Sequence, residues 1–272
     1  MTAWLELCRA CVGDIRVVLE RLPTRAEREP VLRLGEGGDD TTAIDAAAEE
    51  TVVARLRELG EDIVLVSEEL GTLAFGAGGP RHVVVDPVDG SVNAKRGIPF
   101  FSFSLAVAEG PRMEDVAFGY VYDFGTGEEW TAERGRGALL DGRPLPAVGP
   151  KERVEILSFE GTTAAAIAAR IGGVLELAER VRVMGSLALS LCHLAAGRVD
   201  AVCSLKPARS VDVAAAQLLV RERGLAIELV DGPPFAAAPL DLVPRSRVAA
   251  AATPELVAAL GSALGPLVAS TA

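Results

Sequence analysis

Histidine is almost missing from this 272-residue chain, which holds only His82 and His193. Neither has a second His or a Cys at metal-ligand spacing, which argues against a His-based catalytic centre and against a zinc enzyme. Cysteine is sparse as well: Cys8, Cys11, Cys192 and Cys203. Cys8 and Cys11 share one face of an apolar-periodic segment, and no second ligand pair completes a zinc site, so the four are read as buried free thiols. A metal in this protein would therefore sit on oxygen, which points to Mg²⁺, Mn²⁺ or Ca²⁺. Aromatic residues make up 4% of the chain, too few for a base-stacking platform. Lys and Arg number 27 against 38 Asp and Glu, and the net charge of −11 repels a phosphate backbone, so no nucleic-acid partner is expected. No charge-free apolar run reaches the roughly 18–20 residues a bilayer demands. The Ala-rich stretch near the C-terminus comes closest and is broken by Pro254, Glu255, Gly261 and Pro266. The first residues show neither a basic region nor an apolar core of a signal peptide, so a soluble cytoplasmic protein without a membrane partner is expected.

What is present suits a sizeable core: half the residues are apolar and 24% are charged. Trp4 to Leu22 reads as an amphipathic helix. A Gly-rich loop, Gly35 to Asp40, precedes a helix opened by Thr41 or Thr42 and running to about Leu59, with Asp45 three residues beyond Thr42. Ile63–Val66 and His82–Val85 read as buried strands, and Phe100–Ala108 with Val116–Tyr122 as a strand pair. Glu129–Leu140 reads as a hairpin turning at Gly135-Arg136-Gly137. Beyond a Pro-rich seam at 144–150 the pattern alternates: strand 154–159, helix 163–177, strand 181–184, a helix opening at Gly185-Ser186, strand 200–204, helix 212–223, strand 248–252 and a last helix. This predicts layered α/β packing in two sub-domains, residues 1–145 and 146–272.

Acidic residues gather where strands end. Ser67-Glu68-Glu69 follows the first buried strand and Asp86-Pro87-Val88-Asp89-Gly90-Ser91 the second, while Asp212 opens a helix. Singly, each has an ordinary reading as a solvated strand exit, a Pro-Gly turn, or an acid at a helix N-terminus. Asp45 alone is a capping partner of Thr42. Together they place carboxylates at the C-terminal strand ends where open α/β sheets hold ligands. Converging carboxylates repel and raise one another's pKa unless cations neutralise them. Paired divalent ions are the usual device for transferring a phosphoryl group to water. The Gly90-Ser91-Val92-Asn93-Ala94-Lys95 stretch reads as a helix start whose free N–H groups could hold a phosphate.

Asp86-Pro87-Val88-Asp89-Gly90-Ser91, the upstream Glu68-Glu69 and the downstream Asp212-Val213-Ala214-Ala215 resemble the signatures of the inositol monophosphatase superfamily. Residues 97–104, 135–142 and 182–200 agree in order and spacing over nearly the whole chain. The closest resemblance is to the archaeal-type branch that hydrolyses both inositol monophosphate and fructose 1,6-bisphosphate. That resemblance implies an αβαβα sugar-phosphatase sandwich and a Mg²⁺-dependent phosphomonoesterase with two or three ions, Mn²⁺ being an alternative. It assigns metal binding to Glu68, Asp86, the Val88 carbonyl, Asp89 and Asp212, with Asp39 near a third, loosely held ion. It assigns catalysis to Asp45, Ser91 and Glu68, with Ser91 and Asp45 orienting the attacking water. Substrate contacts fall on Asp89, Gly90, Ser91, Arg182, Leu187 and Lys206, with Arg209 a weaker candidate. A homodimer is implied as well.

Three departures from the family pattern stand out: Ser204 for an Asp, Ala94 for an aromatic, and a Lys206–Ser210 loop one residue shorter. They are expected to bear on which sugar phosphate fits. A nucleotide 3′-phosphatase or a histidinol phosphatase would share the metal motifs, and a catalytically silent binding relative would have lost one of them.

Overall fold

In the computed structural model, residues 2–266 are described apart from 148, 150–152, 162, 244 and 245. Part of the expected seam at 144–150 thus lies outside the described residues. In chain order the elements are α1 (Thr2–Arg21), α2 (Arg25–Arg28), β1 (Val31–Leu34), β2 (Asp40–Thr42), α3 (Ala43–Leu59), β3 (Ile63–Ser67), β4 (Gly71–Phe75), β5 (His82–Asp89), α4 (Ser91–Arg96), β6 (Ser102–Ala108), β7 (Val116–Asp123), β8 (Glu129–Glu133), β9 (Gly137–Leu140) and β10 (Arg143–Pro144). They continue with β11 (Val154–Glu160), α5 (Ala164–Arg170), β12 (Ala178–Arg182), α6 (Leu187–Ala195), β13 (Ala201–Ser204), α7 (Ser210–Glu222), β14 (Ala226–Leu229), β15 (Val248–Ala251) and α8 (Pro254–Leu264).

Two sheets organise the chain. The eight-stranded sheet runs β10-β9-β8-β7-β6-β5-β3-β4 and the five-stranded sheet β12-β11-β13-β15-β14. The first is antiparallel except where β3 lies parallel to β5, and in the second β11 is parallel to both β12 and β13. Alternation along the strands assigns each face. Val83 and Val85 face the core under α1 and α3, whereas Val84 faces α6 and α7. In the second sheet Val202, Val248 and Ala250 face that same helix pair, while Ala201, Cys203, Ala249 and Ala251 face α8. The order of layers is helix, sheet, helix, sheet, helix, as the resemblance implied.

The middle layer explains the alanine bias. Every residue of α7 from Val213 to Val220 is buried. At Gly119 on β7 a Cβ would lie 2.5 Å from the Ala215 carbonyl oxygen, so glycine lets the helix backbone meet the sheet. Where the structure departs from expectation, glycine and edge position are the causes. The helix expected over 163–177 stops at Arg170 and tightens to a 3₁₀ turn over Ile171–Val174. Gly172 and Gly173 favour helix poorly, and a Cβ at Gly173 would meet the Ala263 carbonyl at 2.4 Å. The following strand begins earlier than expected, at Ala178. All four cysteines are free and buried, and burial pushes the Cys11 thiol up to about 12, so none is a ready nucleophile.

Candidate active site

β3 and β5 lie side by side and parallel, so the ends of both deliver acids to one place. The Asp86-to-Asp89 segment is not the free turn that Pro87 and Gly90 suggest. β5 continues through it with a bulge, Asp86 opposite Ser104 and Asp89 opposite Ser102. Pro87 has no N–H to offer the ladder and suits a bulge, and Val88 N–H donates to Asp86 Oδ1 at 2.9 Å. The chain turns only at Gly90, whose φ of 93° is in the left-handed region. A Cβ there would press to 3.0 Å on the Gly185 carbonyl.

Glu68, Asp86 and Asp212 bring carboxylate oxygens within 4.8 Å of one another. The three come from the β3 exit, the β5 bulge and the first turn of α7. Burial is the largest cause that pushes up Glu68, Asp86 and the neighbouring Asp89. Glu68 rises to about 8 through burial, opposed by the Arg209 guanidinium and reinforced by Asp212. Asp86 is raised by burial and by Glu68 and Asp89. Asp89 rises to about 7, chiefly by burial, although the Ser186 hydroxyl pulls it down. The donors are carboxylate oxygens with no His or Cys among them, and such a set, Asp86 buried and Glu68 and Asp212 half-buried, fits Mg²⁺ or Mn²⁺.

The other expected residues surround this group without all joining it. Asp89 turns Oδ2 away, toward the Ser186 hydroxyl and the Ala188 N–H at 2.8 Å. Val88 is buried at the bulge. Asp39 meets Lys206 Nζ at 3.3 Å and Arg209 at 3.2 Å, so Lys206 is engaged with this acid. Asp45 accepts from Thr42 at both N–H, 3.1 Å, and Oγ1, 2.5 Å, and burial raises its pKa. Among the described residues no hydrogen bond joins Asp45 to Ser91. Ser91 opens α4, where the Asn93 and Ala94 amides already donate to the Gly90 carbonyl at 2.8 and 3.0 Å. Any phosphate cradle is thus confined to the earliest amides of that turn. Leu187 is buried at the start of α6, and Arg182 is exposed at the end of β12.

Two of the departures from the family pattern lie inside the protein. Ala94 is fully buried among the α1–α3 core residues, and Ser204 is buried with its hydroxyl accepting the Val248 N–H at 2.8 Å. Both are packed in the interior. Arg209 holds a larger part of the site than its place in the sequence suggests. Its side chain is only 7% exposed, its guanidinium pairs with Glu68 and Asp39, and its backbone N–H donates to Asp212 Oδ2 at 2.6 Å. Gly37 makes room, since a Cβ there would collide with Nη1 at 2.2 Å. The Arg209-x-x-Asp212 spacing, an i, i+3 pair at a helix start, was the available signal. Ser186 and Thr42, which hold Asp89 and Asp45, carried none beyond their capping positions.

A layered α/β sandwich with an oxygen-only acidic cluster at the strand ends defines a metal-dependent phosphatase of the sugar-phosphatase class. Comparison with known proteins agrees. The profile of the inositol monophosphatase family matches residues 6–265. A fructose-1,6-bisphosphatase/inositol-1-monophosphatase of Methanothermobacter thermautotrophicus is 34% identical over 71% of this chain and 72% of its own length. The protein of the same description from Archaeoglobus fulgidus is 31% identical over 91% and 92%. A crystal structure of an inositol monophosphatase–fructose 1,6-bisphosphatase superposes with a TM-score of 0.82 at 26% identity, covering 96% of this chain and 99% of that one. The chain belongs to the inositol monophosphatase family.

Proposed function

We propose that this protein hydrolyses sugar and polyol phosphate monoesters with Mg²⁺, fructose 1,6-bisphosphate and inositol 1-phosphate being the leading substrates. The observation that carries this reading is the convergence of the Glu68, Asp86 and Asp212 carboxylates within 4.8 Å of one another. The two activities by which the archaeal relatives are known support the two substrates. Glu68, Asp86, the Val88 carbonyl, Asp89 and Asp212 would hold two or three cations, Asp39 lying nearest the loosest. Bound divalent ions would neutralise phosphate charge and make water a better nucleophile. Around them the protein supplies position and proton handling. Gly90 and Ser91 orient the ester phosphate, and Asp45 accepts the proton of the attacking water in concert with Ser91. Thr42 fixes one oxygen of Asp45 and leaves the other for that task. Arg182, Leu187 and Lys206 face the remainder of the substrate.

The same resemblance supports a homodimer; the absence of a signal-peptide pattern supports the cytoplasm, and no described helix is long and apolar enough to cross a membrane. The change of pattern at the Pro-rich seam supports two sub-domains, 1–145 with the eight-stranded sheet and the β1–β2 pair, and 146–272 with the five-stranded sheet. Asp212→Asn tests the reading. Phosphate release should fall by at least a hundredfold and the heat of Mg²⁺ binding should vanish, with an unchanged circular dichroism spectrum. Full activity in that variant would refute the assignment.

A further inference from the structure

Glu160, the last residue of β11, is a buried carboxylate outside the acidic cluster, and it is ringed by donors. Oε2 accepts the Gly185 N–H at 2.8 Å, and Oε1 accepts the Met184 N–H at 3.3 Å. The Ser158 and Ser190 hydroxyls both approach Oε1 at 2.8 Å. β11 is parallel to both of its neighbours, and Glu160 closes its C-terminal end beside the end of β12. Its backbone carbonyl also takes the Leu205 N–H at 2.6 Å, which fixes the strand end.

The turn that Glu160 grips is held from the opposite side as well. Asn93 Nδ2 donates to the Met184 and Phe100 carbonyls, both at 2.8 Å. Gly185 has φ 97°, and a Cβ there would lie 2.8 Å from Asn93 Nδ2, so only glycine fits between the two clamps. The next residue is Ser186, the N-cap of α6, whose hydroxyl and the Ala188 N–H bind one oxygen of Asp89. Ser190 ties the arrangement together, reaching the Ser186 carbonyl at 2.8 Å as well as Glu160. A chain of hydrogen bonds therefore runs from the five-stranded sheet to the β5 bulge of the other sheet.

We propose that Glu160 is a positioning residue, which holds the Met184–Gly185 turn so that Ser186 and Ala188 orient Asp89 toward the cation site. This rests on the reading of Asp89 as a metal ligand. Two backbone N–H groups face the carboxylate, so the position demands an acceptor at both oxygens. A glutamine there keeps the volume but sets an NH₂ against one of those donors.

The test is a double-substitution cycle read by Mn²⁺ binding, followed by electron paramagnetic resonance of free Mn²⁺, together with kcat on fructose 1,6-bisphosphate. Glu160→Gln should weaken Mn²⁺ binding about tenfold and lower kcat, and Ser186→Ala should do the same. The two together should lose no more than the larger single loss, because both act through Asp89. Glu160→Asp should recover part of the binding. Losses that simply add, or unchanged Mn²⁺ affinity in Glu160→Gln, would overturn the proposal. Asp89→Asn separates the two levels. If it leaves Mn²⁺ binding intact, the metal-ligand reading itself fails. If it abolishes binding while Glu160→Gln does nothing, only the positioning role fails.

Discussion

Stripping divalent ions with EDTA and raising the pH should destabilise this protein, because its acidic cluster takes up protons on folding. Glu68 rises to about 8 and Asp89 to about 7, chiefly by burial, whereas unfolded carboxylates titrate near 4. Raised folded-state values mean that the native chain holds protons the unfolded chain has released. The resulting stability is complete below about pH 4 and is lost as pH rises through the folded values. Asp86 feels both Glu68 and Asp89, so these carboxyls share protons and the magnitude is worked for one proton. One proton corresponds to about 1.4 kcal/mol per pH unit, or about 2 kcal/mol between pH 5.5 and 7. For a chain of this size that shifts Tm by about 4–8 °C. Differential scanning calorimetry in EDTA at the two pH values measures it. Mg²⁺ at a hundred times its Kd should add about 2.7 kcal/mol and should help more at pH 8 than at pH 5.5, because it displaces the proton. A Tm that is flat or rising with pH in EDTA would refute the electrostatic account of the cluster.

Three further outcomes follow from other contacts. Lys206→Ala should raise KM for a bisphosphate more than for a monophosphate, and equal effects would remove Lys206 from distal-phosphate binding. Asp231→Asn strands the buried Arg247 guanidinium, which now donates to Asp231 at 2.7 and 2.8 Å, and should cost about 3–5 kcal/mol in urea unfolding. Arg247 holds the Asp231 pKa below its ordinary value, so this pair's stability persists above about pH 4 and is lost as pH falls further. Gly119→Ala drives a Cβ into the Ala215 carbonyl and should destabilise by about 1–3 kcal/mol, whereas Gly135→Ala, with open space around it but φ 75°, tests strain without a clash.

Local signals carried much of the architecture. Apolar runs ending in Glu68 and Asp86 marked both the strands and the acids, because a parallel pair delivers its C-terminal ends together. Thr42-x-x-Asp45 marked the start of α3, and the hydrogen bonds from Thr42 realise it. Short edge pieces escaped: β1 is exposed along its whole length, and β4 at the sheet edge has three exposed residues, so neither shows a buried-face alternation. The site's supports were illegible for a different reason. Ser186 meets Asp89 across 97 positions and Arg209 meets Glu68 across 141, contacts set by how two sheets dock on α6 and α7. Ala94 and Ser204 show the converse: as departures in residue type they were expected to bear on which sugar phosphate fits, and the structure places both in packed interior positions.

Phosphate release from fructose 1,6-bisphosphate and inositol 1-phosphate, measured side by side with Mg²⁺ and with EDTA, tests the central claim most directly. Release from both esters should require Mg²⁺ and stop in EDTA. Release that persists in EDTA, or none from either ester with Mg²⁺ and a folded protein, would contradict it.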